Sequence, residues 1–386
     1  MWSYTVARIW GVPIRVNVSL LVFLPILAWL IGSGQQIALY VTVVNRFVPV
    51  PLDVATLRAG STPWLVGTTA AIGLFVGVLL HELGHVWVAR RYGLGIESIT
   101  LWVFGGLARF TTIPREWNRE FLIAIAGPVT SVLVGLGCAA LVQVVPSRFP
   151  VAVFVLGWLA VVNVTLAVFN LLPAFPMDGG RILRALLARS RPYGVATRIA
   201  ARIGVTFALL FAVVGVLGFN PVLVLIALFV YGAAKSEARV SLLDDLLEGL
   251  TVADVMDNPT EPLAVDDTVS AFVGLMLRRH RTAFPVVDDD TVVGLVRLDD
   301  LRGLPRERYE TATVGDVMGP PPIRVDATAD AFDTLAELGR QNADYALVED
   351  GEQIVGTVSQ ESFVTALEIR QGLWRSASVT QPKRNQ

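Results

Sequence analysis

At 386 residues the chain has room for two or three compact units, but 54% hydrophobic residues and a mean hydropathy of +0.60 make it too apolar for an ordinary soluble protein. A net charge of −2 and the lack of a long basic stripe exclude nucleic acid as an expected partner. The single cysteine, Cys138, excludes an intrachain disulfide; it lies in an apolar stretch and reads as a small buried hydrophobe.

The N-terminus lacks a basic n-region followed by a short apolar run and a small-residue cleavage site, so no cleaved signal peptide is expected. A membrane span needs roughly 20 mostly apolar residues, and six stretches qualify: 16–31, 64–88, 121–145, 151–172, 203–219 and 221–234, the first and last being short. Arg90, Arg91, Arg109, Arg115 and Arg119 follow the second, and Arg181, Arg184, Arg189, Arg191, Arg198 and Arg202 follow the fourth. The opposite side carries only Arg46, Arg58 and Arg148, so the positive-inside rule puts both arginine-rich loops, the N-terminus and the C-terminal region in the cytoplasm. Apolar residues thin out abruptly at Lys235, which marks the main domain boundary.

The second span contains His81-Glu82-Leu83-Gly84-His85, an HExxH pattern whose histidines, four residues apart, share one helix face. Neutral imidazoles at that spacing suit one zinc ion, and Glu82 is placed to take a proton from water as general base. Background residue usage produces on the order of one chance HExxH per hundred chains of this length. Ionisable side chains inside a span are costly and mark cavities with a purpose, so three together argue against coincidence. The expected chemistry is hydrolysis.

A catalytic zinc takes three protein ligands, and Asp178 is the candidate for the third. It follows the fourth span in Asn170-Leu171-Leu172-Pro173-Ala174-Phe175-Pro176-Met177-Asp178-Gly179-Gly180, at the same end of the membrane as the histidines. Pro173 and Pro176 interrupt the helix, which is tolerable at membrane depth only beside protein or a water-filled cavity. Alone, Asp178 would read as a helix cap or turn residue; paired with HExxH, it reads as a ligand.

Through HELGH and the N-x-x-P-x-x-P-x-D-G-G pattern from Asn170 to Gly180, the chain resembles the site-2 protease family of intramembrane metalloproteases. Phe104-Gly105-Gly106-Leu107-Ala108 and Ala126-Gly127-Pro128 fit the same family, and the resemblance covers roughly residues 2–234. It implies one Zn2+ held by His81, His85 and Asp178, with Glu82 activating water against a peptide bond of a transmembrane protein substrate, as in regulated intramembrane proteolysis. It also implies that Asn170 positions substrate or stabilises the oxyanion; a residue that caps the preceding helix is the other reading.

A helix in lipid satisfies its backbone bonds internally, so a membrane-spanning substrate has to be bound unwound. Residues 98–104, rich in β-formers and ending at Gly105-Gly106, are expected to form a strand returning toward the membrane. That strand receives the substrate by strand addition, or it is an interfacial hairpin anchored by Trp102.

Beyond the spans the sequence repeats at an offset of 62 residues: Val252-Ala253-Asp254-Val255-Met256 is echoed by Val314-Gly315-Asp316-Val317-Met318, and Gly294 by Gly356. Each copy continues with a helical pattern and two short strands, and the repeat over residues 251–367 is similar to a tandem pair of CBS modules. The resemblance implies a regulatory pair with an adenosine nucleotide as ligand and a homodimer through the modules as a further possibility. The family's nucleotide-contacting pattern is a Ser or Thr followed three residues later by Asp. Here the first copy has Arg297 and Asp300 and the second Ser359 and Ser362, so neither has both halves. His280, in Arg278-Arg279-His280-Arg281, reads as a solvated helix end.

The expected fold is an α-helical polytopic membrane domain of about six transmembrane helices plus a soluble α/β CBS pair. Its boundaries are residues 1–236 for the protease domain, 237–250 for a linker, 251–308 and 309–370 for the two modules, and 371–386 for a flexible tail. The expected location is the cell membrane, multi-pass, in contact with the lipid bilayer. The alternatives are a CBS-regulated membrane transporter, since intramembrane His and Glu relay protons, and a non-catalytic scaffold. The transporter leaves the spacing of the histidines and the coincidence of Asp178 unexplained.

Overall fold

The computed structural model describes residues 2–111, 116–257, 261–289, 291–351 and 353–379; Arg115 and the tail beyond residue 379 lie outside them. The chain opens with a β-hairpin, β1 (Ser3–Ile9) and β2 (Val12–Asn17), joined by a two-residue turn in which Trp10 and Gly11 both have positive φ. That turn matches the right-handed twist of the strands. Asn17 then caps α1 (Val18–Gly32), its side chain accepting from the Ser19 backbone N–H at 2.9 Å. Next come α2 (Gly34–Val44), α3 (Val54–Arg58) and the 30-residue α4 (Thr62–Arg91).

After α4 the chain forms β3 (Ile96–Trp102) and β4 (Gly105–Phe110). The helices α5 (Trp117–Val144), α6 (Pro150–Asn170), α7 (Asp178–Ala188), α8 (Tyr193–Leu217) and α9 (Pro221–Leu247) follow. By length and composition α4, α5, α6, α8 and α9 are long and apolar enough to cross a membrane, and α1 with α2 forms a further pair bent by 66°. The first expected span coincides with α1, which has 15 residues and turns sharply at Ser33 into α2, so that stretch crosses as a bent pair if it crosses at all. Outward-facing Leu133, Val213, Leu217 and Leu225 are all more than half exposed, as lipid-facing residues are.

Small residues let α4 sit at the centre of the bundle. A Cβ at Gly67 would collide with the Ala28 carbonyl of α1, at Gly77 it would lie 2.7 Å from Asn163 Oδ1 of α6, and at Gly84 it would strike α5 at Thr130. Without a hydrophobic drive between helices in lipid, such close backbone approach is what holds them together. Cys138 on α5 is half-buried rather than buried.

The four strands make one sheet in the order β1-β2-β3-β4, with β2 and β3 parallel and β3 and β4 antiparallel. Both sides of β3 are thus paired, so the expectation that residues 98–104 take a substrate strand is corrected. Val103 and Phe104 lie in the turn, and the open edge is that of β4.

Contacts divide the chain into residues 1–241 and 242–386. α9 runs unbroken to Leu247, through most of the stretch read as a linker, and the last helix reaches Val379, within the stretch read as a tail. In the second unit α10 (Val252–Val255) leads to β5 (Leu263–Ala264), α11 (Val269–Arg279), β6 (Ala283–Asp288) and β7 (Thr291–Arg297). The second copy has α12 (Val314–Val317), β8 (Ile323–Asp326), α13 (Ala331–Gln341), β9 (Tyr345–Asp350), β10 (Gln353–Ser359) and α14 (Gln360–Val379). His280 caps α11 in the left-handed conformation, with Asn342 doing the same for α13.

The short leading helices are exchanged between the copies. Val252 N–H donates to Ala329 O at 2.9 Å and Val314 N–H to Asp267 O at 2.7 Å. Val252 and Val255 join the core of the second copy, and Val314 that of the first. Each helix begins with a capping box, Thr251–Asp254 or Thr313–Asp316, whose backbone N–H bonds hold the aspartate carboxyl below its usual range. The shared glycines lie where the exchanged segments cross: a Cβ at Gly294 would lie 2.6 Å from Met318 Sδ, and one at Gly356 would lie 2.5 Å from the Asp257 carbonyl. Gly356→Val should therefore cost about 1–3 kcal/mol by overpacking, read as a lower melting temperature of the second unit. An unchanged melt would show that the crossing is not close-packed.

Candidate metal centre

His81 and His85 occupy one face of α4, and Asp178 is the first residue of α7; all three are buried. His81 Nε2 and His85 Nε2 lie 3.0 and 3.2 Å from Asp178 Oδ2, and 3.2 Å from each other. Tetrahedral ligands about 2.0–2.1 Å from a zinc ion stand about 3.3 Å apart, so these donor atoms form one face of such a site and leave a fourth position.

The far ring nitrogens are engaged as well. His85 Nδ1 donates to the Ile123 carbonyl at 2.7 Å, and His81 Nδ1 pairs with the buried Ser131 hydroxyl at 2.8 Å. A proton held on Nδ1 leaves Nε2 with its lone pair, which a metal requires. Both partners come from α5 and carry no signal in the sequence, because no motif marks a carbonyl or serine that bonds the far side of a histidine ring. Gly127, noted only within Ala-Gly-Pro, has a visible role: a Cβ there would collide with His85 Nε2 and lie 2.6 Å from His81 Nε2. Gly179 and Gly180 likewise leave no room for side chains, since the proline-containing loop of residues 171–177 folds back against the start of α7. The donor set, the tautomer that the Ile123 carbonyl imposes on His85 and the space at Gly127 fit zinc.

Glu82 is half-buried and packs against β4, where a Cβ at Gly106 would lie 2.8 Å from its carboxyl carbon. It faces a cavity of about 430 Å³ that also reaches His81, His85, Asp178, Asn170 and Arg181. Asn170 ends α6, but its side chain makes no hydrogen bond among the described residues; the backbone N–H of Leu171 closes the helix, so the capping reading fails. At the hairpin turn Phe104 stacks on Phe229 of α9, centroids 5.0 Å apart, with Trp102 edge-on to Phe104.

A second buried polar cluster holds α7 in place. Arg184 donates to Glu120 of α5 at 2.5 and 2.7 Å and to Glu237 of α9 at 2.5 Å. Buried ion pairs contribute little net stability, but breaking one strands a charge, so they hold register. In sequence Arg184 was one more orienting arginine, and nothing there linked it to two glutamates.

In the second unit a cavity of about 440 Å³ is lined by Asp257, Arg281, Thr282, Tyr345, Ser359 and Ser362 among others. Ser359 and Ser362 bond each other at 2.9 Å, and Ser362 Oγ donates to Asp257 at 3.1 Å. At the repeat-related position Arg297 reaches Asp300 at 3.0 Å and Asp344 at 3.1 Å with its own guanidinium.

The model of peptidase family M50 matches residues 69–154 and 146–211, and that of the CBS domain matches residues 252–307 and 314–369. A zinc metalloprotease of Methanocaldococcus jannaschii is 32% identical over 371 residues, 95% of this chain and 97% of that protein. Rip3 of Mycobacterium tuberculosis, by its name a candidate zinc metalloprotease, is 35% identical over 326 residues, 79% of this chain and 82% of that protein. The solved site-2 protease from Methanocaldococcus jannaschii is 34% identical, covering 61% of this chain and 95% of that chain at a TM-score of 0.42. Spanning nearly the whole length of such a relative and carrying both family patterns, the chain belongs to peptidase family M50, as a zinc metalloprotease of the site-2 protease type with a tandem CBS pair.

Proposed function

We propose that this protease cuts membrane-spanning proteins at the centre built from His81, Glu82, His85 and Asp178. The observation that carries the reading is the convergence of two Nε2 atoms and one carboxylate oxygen, His81 and Asp178 being 97 residues apart in sequence, beside a glutamate that makes no hydrogen bond or ion pair among the described residues. His81, His85 and Asp178 would hold zinc, which when bound supplies Lewis acidity toward a water and a peptide carbonyl. Glu82 takes a proton from the water as its oxygen attacks the carbonyl carbon, and returns that proton to the amide nitrogen as the C–N bond breaks. The Asn170 amide, which makes no hydrogen bond among the described residues, donates to the carbonyl oxygen as negative charge builds there.

The substrate is unwound before it is cut, and the open edge of β4 beside Glu82 supplies the backbone partners it loses. The arginine distribution supports a cytoplasmic location for the N-terminus and the CBS pair. For that pair we propose control of access or assembly, including association of two chains. An adenosine nucleotide would occupy the cavity beside Ser359 and Ser362, while Arg297 fills the related position with its own charge.

Purified wild-type protein should carry about one zinc per chain. His85→Ala and Asp178→Ala should lose it, and so should Gly127→Val, which removes no donor atom but fills the space where the donors meet. Glu82→Ala should keep zinc and lose cleavage by about 10²–10⁴-fold; a zinc-loaded Glu82→Ala that still cuts would refute its role as base. Neighbouring residues of a strand point their N–H groups to opposite sides, so of Leu107→Pro and Ala108→Pro one removes an outward donor of β4. That variant should lose cleavage with zinc retained, whereas cleavage by both would end the strand-addition reading. Titrating the full chain with ATP or AMP should raise the melting temperature of the second unit, and a flat titration would remove the nucleotide from the proposal.

A further inference from the structure

Arg181 stands one helical turn beyond Asp178 on α7 and lines the cavity that holds Glu82 and the β4 edge. Unlike Arg184, which is tied to Glu120 and Glu237, it makes no hydrogen bond or ion pair among the described residues. Of the neighbouring acids, Asp178 is bound to the two histidines and Glu120 and Glu237 to Arg184, while Glu82 lines the same cavity without a hydrogen bond or ion pair to Arg181 among the described residues. A cation without a hydrogen bond or ion pair, in a cavity of mixed polar and apolar lining within a membrane bundle, is expensive to keep and marks a functional position. Its guanidinium offers five donors in a fixed planar fork and never deprotonates in a protein.

The chemistry of its ligand follows from the substrate's backbone. An extended segment seated on β4 pairs through one of its edges, and the carbonyls of its other edge are left without water in a low-dielectric cavity. Each of those carbonyls needs a donor. We propose that Arg181 is a substrate-binding residue whose guanidinium takes main-chain carbonyl oxygens on the edge of the unwound substrate turned away from β4. A main-chain ligand fits better than a side-chain carboxylate, because every substrate offers carbonyls whereas Asp and Glu are rare in membrane spans. The inference rests on the strand-addition reading and extends it to the opposite side of the substrate.

The test uses full-length protein in detergent with Glu82→Gln, which binds without cutting, and a fluorescent transmembrane peptide followed by anisotropy. Adding Arg181→Ala should weaken binding about 10- to 100-fold, with zinc content unchanged and the same loss for peptides with and without acidic residues. Arg181→Lys should recover part of the affinity, since a point charge replaces the fork. Unchanged binding, a loss confined to acidic peptides, or loss of zinc would each overturn the proposal, the last by showing that Arg181 holds Asp178 in place. The β4 proline variants in the same Glu82→Gln background separate the two ideas. If they bind as tightly as their parent, the strand-addition reading fails whatever Arg181 does.

Discussion

Everything in the first unit depends on bringing two imidazole nitrogens and one carboxylate oxygen to within 3.0–3.2 Å of one another inside an apolar bundle. Such a buried polar cluster is costly unless its atoms are paired, so each atom around it must be placed by packing or by a hydrogen bond. α5 does most of this. It offers the Ile123 carbonyl and the Ser131 hydroxyl to the far ring nitrogens and, at Gly127, no side chain where the donors converge. α7 brings Asp178 and is itself held by Arg184 between Glu120 and Glu237, so the third donor inherits its position from a second polar cluster.

The sheet supplies what the helices cannot. Because β2 and β3 are parallel, the chain must cross over between them, and α1 through α4 make that crossover. The HExxH helix therefore leads directly into β3, which is enclosed on both sides, and β4 is left at the edge facing Glu82. Gly106 lets the glutamate lie against that edge. The proposed strand addition requires an unpaired edge close to Glu82, and β4 offers one.

The CBS pair is governed by exchange. Since the leading helix of each copy completes the core of the other, neither copy buries its apolar surface alone, and Gly294 and Gly356 share a register because each is crossed by the other copy's Met-containing segment. A 62-residue repeat read as two consecutive modules is thus, in packing terms, two interleaved ones.

The local pattern was legible in the amino-acid sequence: the four-residue spacing of HExxH puts His81 and His85 on one face of a helix, and the broken helix before Asp178 marks the carboxylate that the structure sets beside both. Five of the six spans follow from runs of apolar residues, because hydropathy is a property of a segment alone. What needed the tertiary structure was everything set by residues distant in sequence. This includes the bend between α1 and α2, the edge position of β4 rather than β3, the pairing of Arg184 with two glutamates and the placement of Ser131 and Gly127. A serine or a glycine in an apolar helix carries no signal of its own, and it acquires one only when another helix packs against it. Strand order likewise depends on which backbone groups remain after the whole sheet has paired, so a strand's own residues cannot state whether its edge is free.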